Sequence, residues 1–148
     1  MTAELLPAQI DNAYKGHVAG LWVFGAVVAM RMLQSFIVMF NGASVVRSAD
    51  GVPIETFPAD ASRAVVSLFA HTGLHRLFLL LVCVVVLARY RSAVPAMYVL
   101  LMAHSLAGML LLWLLPLASV GRPVGMYVNF AFFILLVVGL ALSLRTAA

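Results

Sequence analysis

Four continuously apolar stretches, at 18–40, 64–88, 94–115 and 124–144, decide what kind of chain this is. Crossing a hydrocarbon layer of about 30 Å takes roughly 20 helical residues, and each stretch meets that length. Strands of a membrane barrel would alternate apolar and polar side chains over about ten residues, which these runs do not do. The four stretches take up most of the 148 residues, so no separate soluble catalytic domain fits beside them. The composition agrees, with 65% hydrophobic and 9% charged residues, against roughly half and a quarter in soluble globular chains. The expectation is an all-α, four-helix transmembrane bundle forming a single integral membrane domain. Its sequence-adjacent helices should run antiparallel, because the second and third connections are short.

Punctuation between the runs supports these limits. Pro58 and Asp60 precede the second helix, with Asp60 expected as its N-cap. Pro95 falls in the first turn of the third, Pro116 stops it, and Gly121 and Pro123 open the fourth. The aromatic residues Tyr14, Trp22, Phe36, Phe40, Tyr90, Tyr98, Trp113 and Tyr127 fall where the membrane interfaces should lie. The opening MTAELLPAQIDNAYK lacks a basic n-region, so the first span is expected to remain as a signal anchor. Cys83, the single cysteine, sits inside LLLVCVVVLA and reads as a small core residue that can form no internal disulfide.

The net charge of +4 is spread singly along the chain without a Lys/Arg run, which favours membrane lipid over nucleic acid as a partner. One side of a four-span chain carries Lys15, Arg89, Arg91 and Arg145, and the other carries Arg47, Arg63 and Arg122. Arg89 and Arg91 occupy a very short turn between two spans, where the positive-inside bias acts most strongly. Both termini are therefore expected to be cytoplasmic. The 41–63 segment becomes the one substantial outer loop, holding three of the five acids, Asp50, Glu55 and Asp60. No internal repeat relates the two helix pairs, so an inverted-repeat transporter is not indicated.

The residues that carry information are the polar ones inside the spans: Arg31, Gln34, His71, His75, Arg76, His104 and Asn129. Ionisable groups in a membrane span usually face the bundle interior or a water-filled cavity, and they make a functional site the default hypothesis. At 1.5 Å per residue they gather in the outer half and centre of the bilayer, while the inner halves of the second and fourth spans are almost purely aliphatic. This asymmetry predicts an outward-facing polar pocket beneath the acidic loop. His71 and His75 share a helix face, as do Arg31 and Gln34, whereas Arg76 lies about 100° around from His75. Ala107 and Gly108, beyond His104, would let a helix or a flat ligand approach closely.

The spans that hold Arg31 and Arg76 contain no acid, and a buried cation without a counter-charge is costly. Either Asp50, Glu55 or Asp60 folds down as the counter-charge, or a lipid phosphate or an anionic ligand supplies it.

Several chemistries fit these residues in part. A metal site would need a third ligand beside the His71 and His75 pair. Haem b could take His75 and His104 as axial ligands, with Arg31 or Arg76 on a propionate. Histidine titrates near neutrality, which leaves proton-linked chemistry open. No GxSxG, HExxH or CxxC motif occurs, and no carboxylate is placed to orient a histidine beside Ser67, so hydrolysis is disfavoured. Polar residues in spans also act as interhelical glue worth about 1 kcal/mol each, which accounts for Gln34 and Asn129 better than for two arginines. The preferred reading is non-enzymatic binding, transport or an accessory-subunit role, with the pocket taking a lipid headgroup or a small organic anion and no cofactor. Other membrane subunits or further copies of the chain are the expected protein partners. A haem- or quinone-binding redox protein is the alternative.

The four-span layout, the polar first span ending in FNGASVV, the SADGVPIETF loop and the RYR turn together resemble uncharacterised small bacterial four-span integral membrane proteins with a DoxX-like layout. The resemblance extends over most of the chain and implies a bacterial inner membrane. It carries no catalytic residues over to this sequence.

Overall fold

The structure, a computed structural model, describes residues 5–7, 9–117, 119–121 and 123–145. Five α-helices occur among them: α1 (Val18–Phe40), α2 (Gly42–Ser48), α3 (Ala59–Arg89), α4 (Val94–Leu114) and α5 (Val124–Leu144). All but α2 are long and apolar enough to cross a membrane, so the chain is a multi-pass, all-α membrane bundle.

The limits of α1 and α5 coincide with the apolar runs, but α3 starts at Ala59, five residues ahead of its run. Pro58, not Asp60, occupies the N-cap position and makes no side-chain capping bond. Asp60 lies in the first turn, where a negative charge suits the helix dipole, and pairs with Arg63 one turn on. At 31 residues, α3 is about 46 Å long and outruns the apolar layer, so its polar first turns stand above it.

α1 is the central helix. Its buried residues Gly20, Phe24, Val27, Val28, Arg31, Ser35 and Val38 recur at helical spacing, and the helix packs along both α3 and α5. Helices in lipid gain little from burying apolar surface and associate by close packing of small residues instead. Accordingly, a Cβ at Gly73 of α3 would lie 3.0 Å from the Ser35 carbonyl oxygen, and one at Gly20 would lie 3.1 Å from Ser143 Cα of α5. α4 packs mainly on α5 and shares little contact with α3, its neighbour in sequence.

The main core lies toward the end of the bundle that carries the chain termini, around Phe24, Leu80, Cys83, Val94, Tyr98 and Leu136. Tyr98 belongs here and not to an interfacial belt. It is fully buried, donates a 2.7 Å hydrogen bond to the Gly20 carbonyl and meets Phe24 edge-on at 5.0 Å. The N-terminal segment closes this end of the bundle. Ser92 Oγ bonds the backbone of Asp11, Tyr14 donates to Ser143 Oγ at 2.9 Å, and the His17 N–H reaches the carbonyls of Leu142 and Arg145.

The opposite end is capped by the connection between α1 and α3, which is folded and not open loop. α2 is followed by a turn at Gly51, whose φ of 68° suits glycine, and by a 3₁₀ turn at Ile54–Thr56. Val46, Val52 and Ile54 are buried under this cap against Val65, Val66 and Phe69. The carbonyl of Ala49 accepts from the Gly125 N–H at 2.9 Å and that of Gly51 from the Val120 N–H at 2.8 Å. The cap thus staples the α1–α3 hairpin to the chain entering α5.

Candidate functional site

Arg31 is carried inward because it lies on the same stripe of α1 as Phe24, Val28 and Ser35, and only 9% of it is exposed. Its guanidinium donates to Asn129 Oδ1 of α5 at 2.7 Å and to Gln34 Oε1, one turn along α1, at 3.0 Å. The Phe132 ring, one turn beyond Asn129, lies beneath the guanidinium carbon at 4.2 Å. Three residues expected at a site are therefore in direct contact, joined by one that sequence reading passed over. Phe132 carried no signal in a span that also holds Phe130 and Phe133. Its ring face offers a cation–π contact, which gains strength away from water.

Every one of these partners is neutral. The charge of Arg31 is solvated by two amide oxygens and a ring, without a carboxylate. Arg76 is half-buried on α3, three residues beyond Gly73, whose face of the helix packs on Ser35 of α1. His104 of α4 is exposed, one turn beyond Leu101, the last buried residue of that helix.

Of the three loop acids, Asp50 alone is in no ion pair among the described residues. Asp50 sits beside the first turn of α5, its Oδ1 3.1 Å from where a Gly125 Cβ would be, and is attracted by Arg76 without an ion pair within 4 Å. Glu55 pairs with Arg47 and Asp60 with Arg63, both on the exposed surface of the cap, so neither serves as counter-charge to the buried arginines. The reason is local: each acid has an arginine within reach on its own segment.

Burial pushes the Asp50 carboxyl above the usual carboxylate range, an effect that the Arg76 charge opposes only in part. A group whose pKa is raised on folding binds protons more tightly in the folded state. The stabilisation it brings is complete below the unfolded value near 3.8 and is lost as pH climbs through the raised folded value. Asp50→Asn should therefore melt at a higher temperature than wild type at pH 7 and together with it near pH 4. Thermal unfolding in detergent at the two pH values measures this.

His71 and His75 are not part of the cluster. Both rings are exposed, and each places Nδ1 against the carbonyl four residues back, Ser67 O at 2.9 Å and His71 O at 2.8 Å. Gly73 marks the α3 face turned toward α1, and residues two positions to either side lie about 160° away from it. The shared face of the two histidines is thus real but points away from the bundle. His75 and His104 are both exposed. Among the described residues no three of His, Cys, Asp and Glu converge as metal ligands do. Gly108 has nothing within 4 Å of its Cβ position, so no helix makes the close approach its size would allow.

Comparison with protein-family models, curated proteins and solved structures finds no match to this chain, and the chemistry of the site therefore rests on its own residues.

Proposed function

We propose that this protein is a non-enzymatic binding or accessory protein of the bacterial inner membrane, with its termini cytoplasmic, and that the Arg31–Arg76 region holds the acidic group of a lipid or a small organic anion. The observation that carries the reading is the state of Arg31: buried and solvated by neutral oxygens and a ring alone, with a second arginine, Arg76, half-buried on the helix packed against its own. A buried and a half-buried cation, neither in an ion pair among the described residues, leave the folded protein short of negative charge in a medium of low dielectric, where pairing matters most. An acidic guest corrects the imbalance, and two guanidiniums present the donor forks suited to carboxylate or phosphate.

The orientation is supported by Lys15, Arg89, Arg91 and Arg145 at the terminal end, against Arg47 and Arg63 at the cap. Arg122, the third basic residue expected on the cap side, lies outside the described residues.

The test is the binding of acids to protein purified in a neutral detergent and stripped of lipid, read by thermal shift. Inorganic phosphate, a fatty acid and phosphatidylglycerol form the panel. At least one acid should stabilise the wild type, and Arg31→Met and Arg76→Met should each weaken its binding at least tenfold, the loss of roughly 1.4 kcal/mol. Absence of any response, or an unchanged response in both variants, would refute the proposal.

A further inference from the structure

The outer half of α3 turns two histidines away from the rest of the bundle. His71 and His75 lie about 10 and about 16 Å below the start of the apolar run at Ala64, well inside the hydrocarbon layer, and both are exposed. Ionisable side chains at such depth almost always face a protein interior or a polar cavity. A lipid-facing surface is therefore a poor setting for this pair, and a covered one suits it.

The rings are already set for one kind of contact. Each Nδ1 lies against a backbone carbonyl, that of Ser67 at 2.9 Å and that of His71 at 2.8 Å. A carbonyl oxygen only accepts, so Nδ1 carries the hydrogen and the neutral imidazole keeps its lone pair on Nε2. Among the described residues none bonds to either Nε2. A histidine whose Nδ1–H is held by a carbonyl and whose Nε2 is free has the tautomer of a metal ligand. The two lie one turn apart on a shared face, where Cβ atoms are about 5–6 Å apart and unpacked rings can turn onto one ion. Two imidazoles are half of the tetrahedral set that zinc takes. Within one chain no third His, Cys, Asp or Glu joins them among the described residues.

The surrounding face shows what supplies the other half. Leu68, His71, His75, Phe78, Val82 and Val85 follow one another at alternating steps of three and four residues, the spacing of a seam along which two helices pack side by side. Its apolar members are between 52% and 67% exposed, and the seam lies opposite the Gly73 face that α1 covers. Two copies inserted the same way into one membrane are related by a two-fold axis along its normal, so each residue meets its counterpart at equal depth. With α3 against α3, the groups at the depth of one histidine pair are the other copy's pair. An unrelated subunit would have to place ligands at that depth independently.

We propose that His71 and His75 form half of a site for a divalent d-block cation, completed by the same two histidines of a second copy, so that the metal joins two chains along α3. Each Nδ1–H passes part of the ion's charge to a backbone carbonyl, which lowers its cost away from water. The site is separate from the acid-binding region, whose Arg31 is held between α1 and α5.

The experiment adds zinc chloride to tag-free, chelator-stripped protein in a neutral detergent, and reads bound metal by elemental analysis and particle mass by light scattering. Zinc should convert monomer to dimer with one ion for two chains, EDTA should reverse this, and magnesium, which prefers oxygen ligands, should do neither. His71→Ala and His75→Ala should each bind zinc at least tenfold more weakly and stay monomeric, whereas His104→Ala, on the exposed part of α4, should behave as wild type. Absence of zinc binding, one zinc on each monomer, a dimer indifferent to zinc, or an undiminished zinc-driven dimer in both α3 variants would each overturn the proposal. Both side chains are exposed, so their removal should leave the fold intact; should a variant fail to fold, the wild-type ion count and mass decide without it.

Discussion

Replacing Gly139 with alanine is expected to destabilise the bundle by about 2–3 kcal/mol, the upper range for overpacking a filled core. A Cβ at Gly139 would come within 2.5 Å of Tyr98 Cε1 and Cζ, and the ring cannot move aside cheaply. It is fully buried, wedged edge-on against Phe24, and anchored through its hydroxyl to the Gly20 carbonyl of α1. Shifting it would strand that buried hydroxyl, which adds about 1–3 kcal/mol. One ring thus joins α4, α5 and α1, and glycine at 139 is the space it fills. Gly108→Ala is the internal control. Nothing surrounds that position, so the gain in helix propensity, about 1 kcal/mol, should be all that remains. Denaturation in mixed detergent micelles measures both variants. Equal stabilities for the two would show that Tyr98 is not held as described.

The second large effect concerns Arg31 and Asn129. Asn129→Leu leaves the guanidinium charged and removes its 2.7 Å acceptor, with Gln34 and Phe132 still in place. Hydrogen bonds to charged groups contribute about 1.5–3 kcal/mol in soluble proteins, whereas interhelical bonds in membranes average nearer 0.6 and reach about 1.7. The charge and burial of Arg31 place this bond at the high end of the membrane range, so a cost of about 1.5 kcal/mol is expected. Arg31→Met should cost less, because removing the charge also removes the desolvation that its acceptors offset. The double variant Arg31→Met/Asn129→Leu should then return close to wild-type stability. A double-mutant cycle reads this directly, and strictly additive losses would mean that the pair does not act as a unit.

How much of this was legible before the fold was known depends on the kind of signal. Helix limits were readable where apolar residues meet Pro or Gly, as at Val124 after Pro123. They were missed where a helix leaves the membrane, because Asp60, Ser62 and Arg63 lower the apolar content of a stretch that is helical all the same. Residue spacing correctly placed Arg31 with Gln34 and His71 with His75. It could not say which pair turned inward, since an apolar helix with no polar side carries no mark of the face it buries. The same gap put Tyr98 in an interfacial belt: an aromatic near the end of a span suits an interface or a core, and only the facing Gly139 distinguishes them. The choice of Asp50 among three acids was likewise a matter of tertiary distance, decided by the arginines that lie beside Glu55 and Asp60.

The bond from Arg31 to Asn129 spans 98 residues of sequence, and this has a consequence for biogenesis. A ribosome adds about 5–20 residues per second, so Arg31 emerges about 5–20 s before its acceptor exists. During that interval the first span carries an arginine near its middle with only Gln34 to share it, at an insertion cost of about 2.5–3.5 kcal/mol. The helix that ends at the centre of the bundle is therefore poorly prepared to enter lipid alone, and its settlement waits on the arrival of the last.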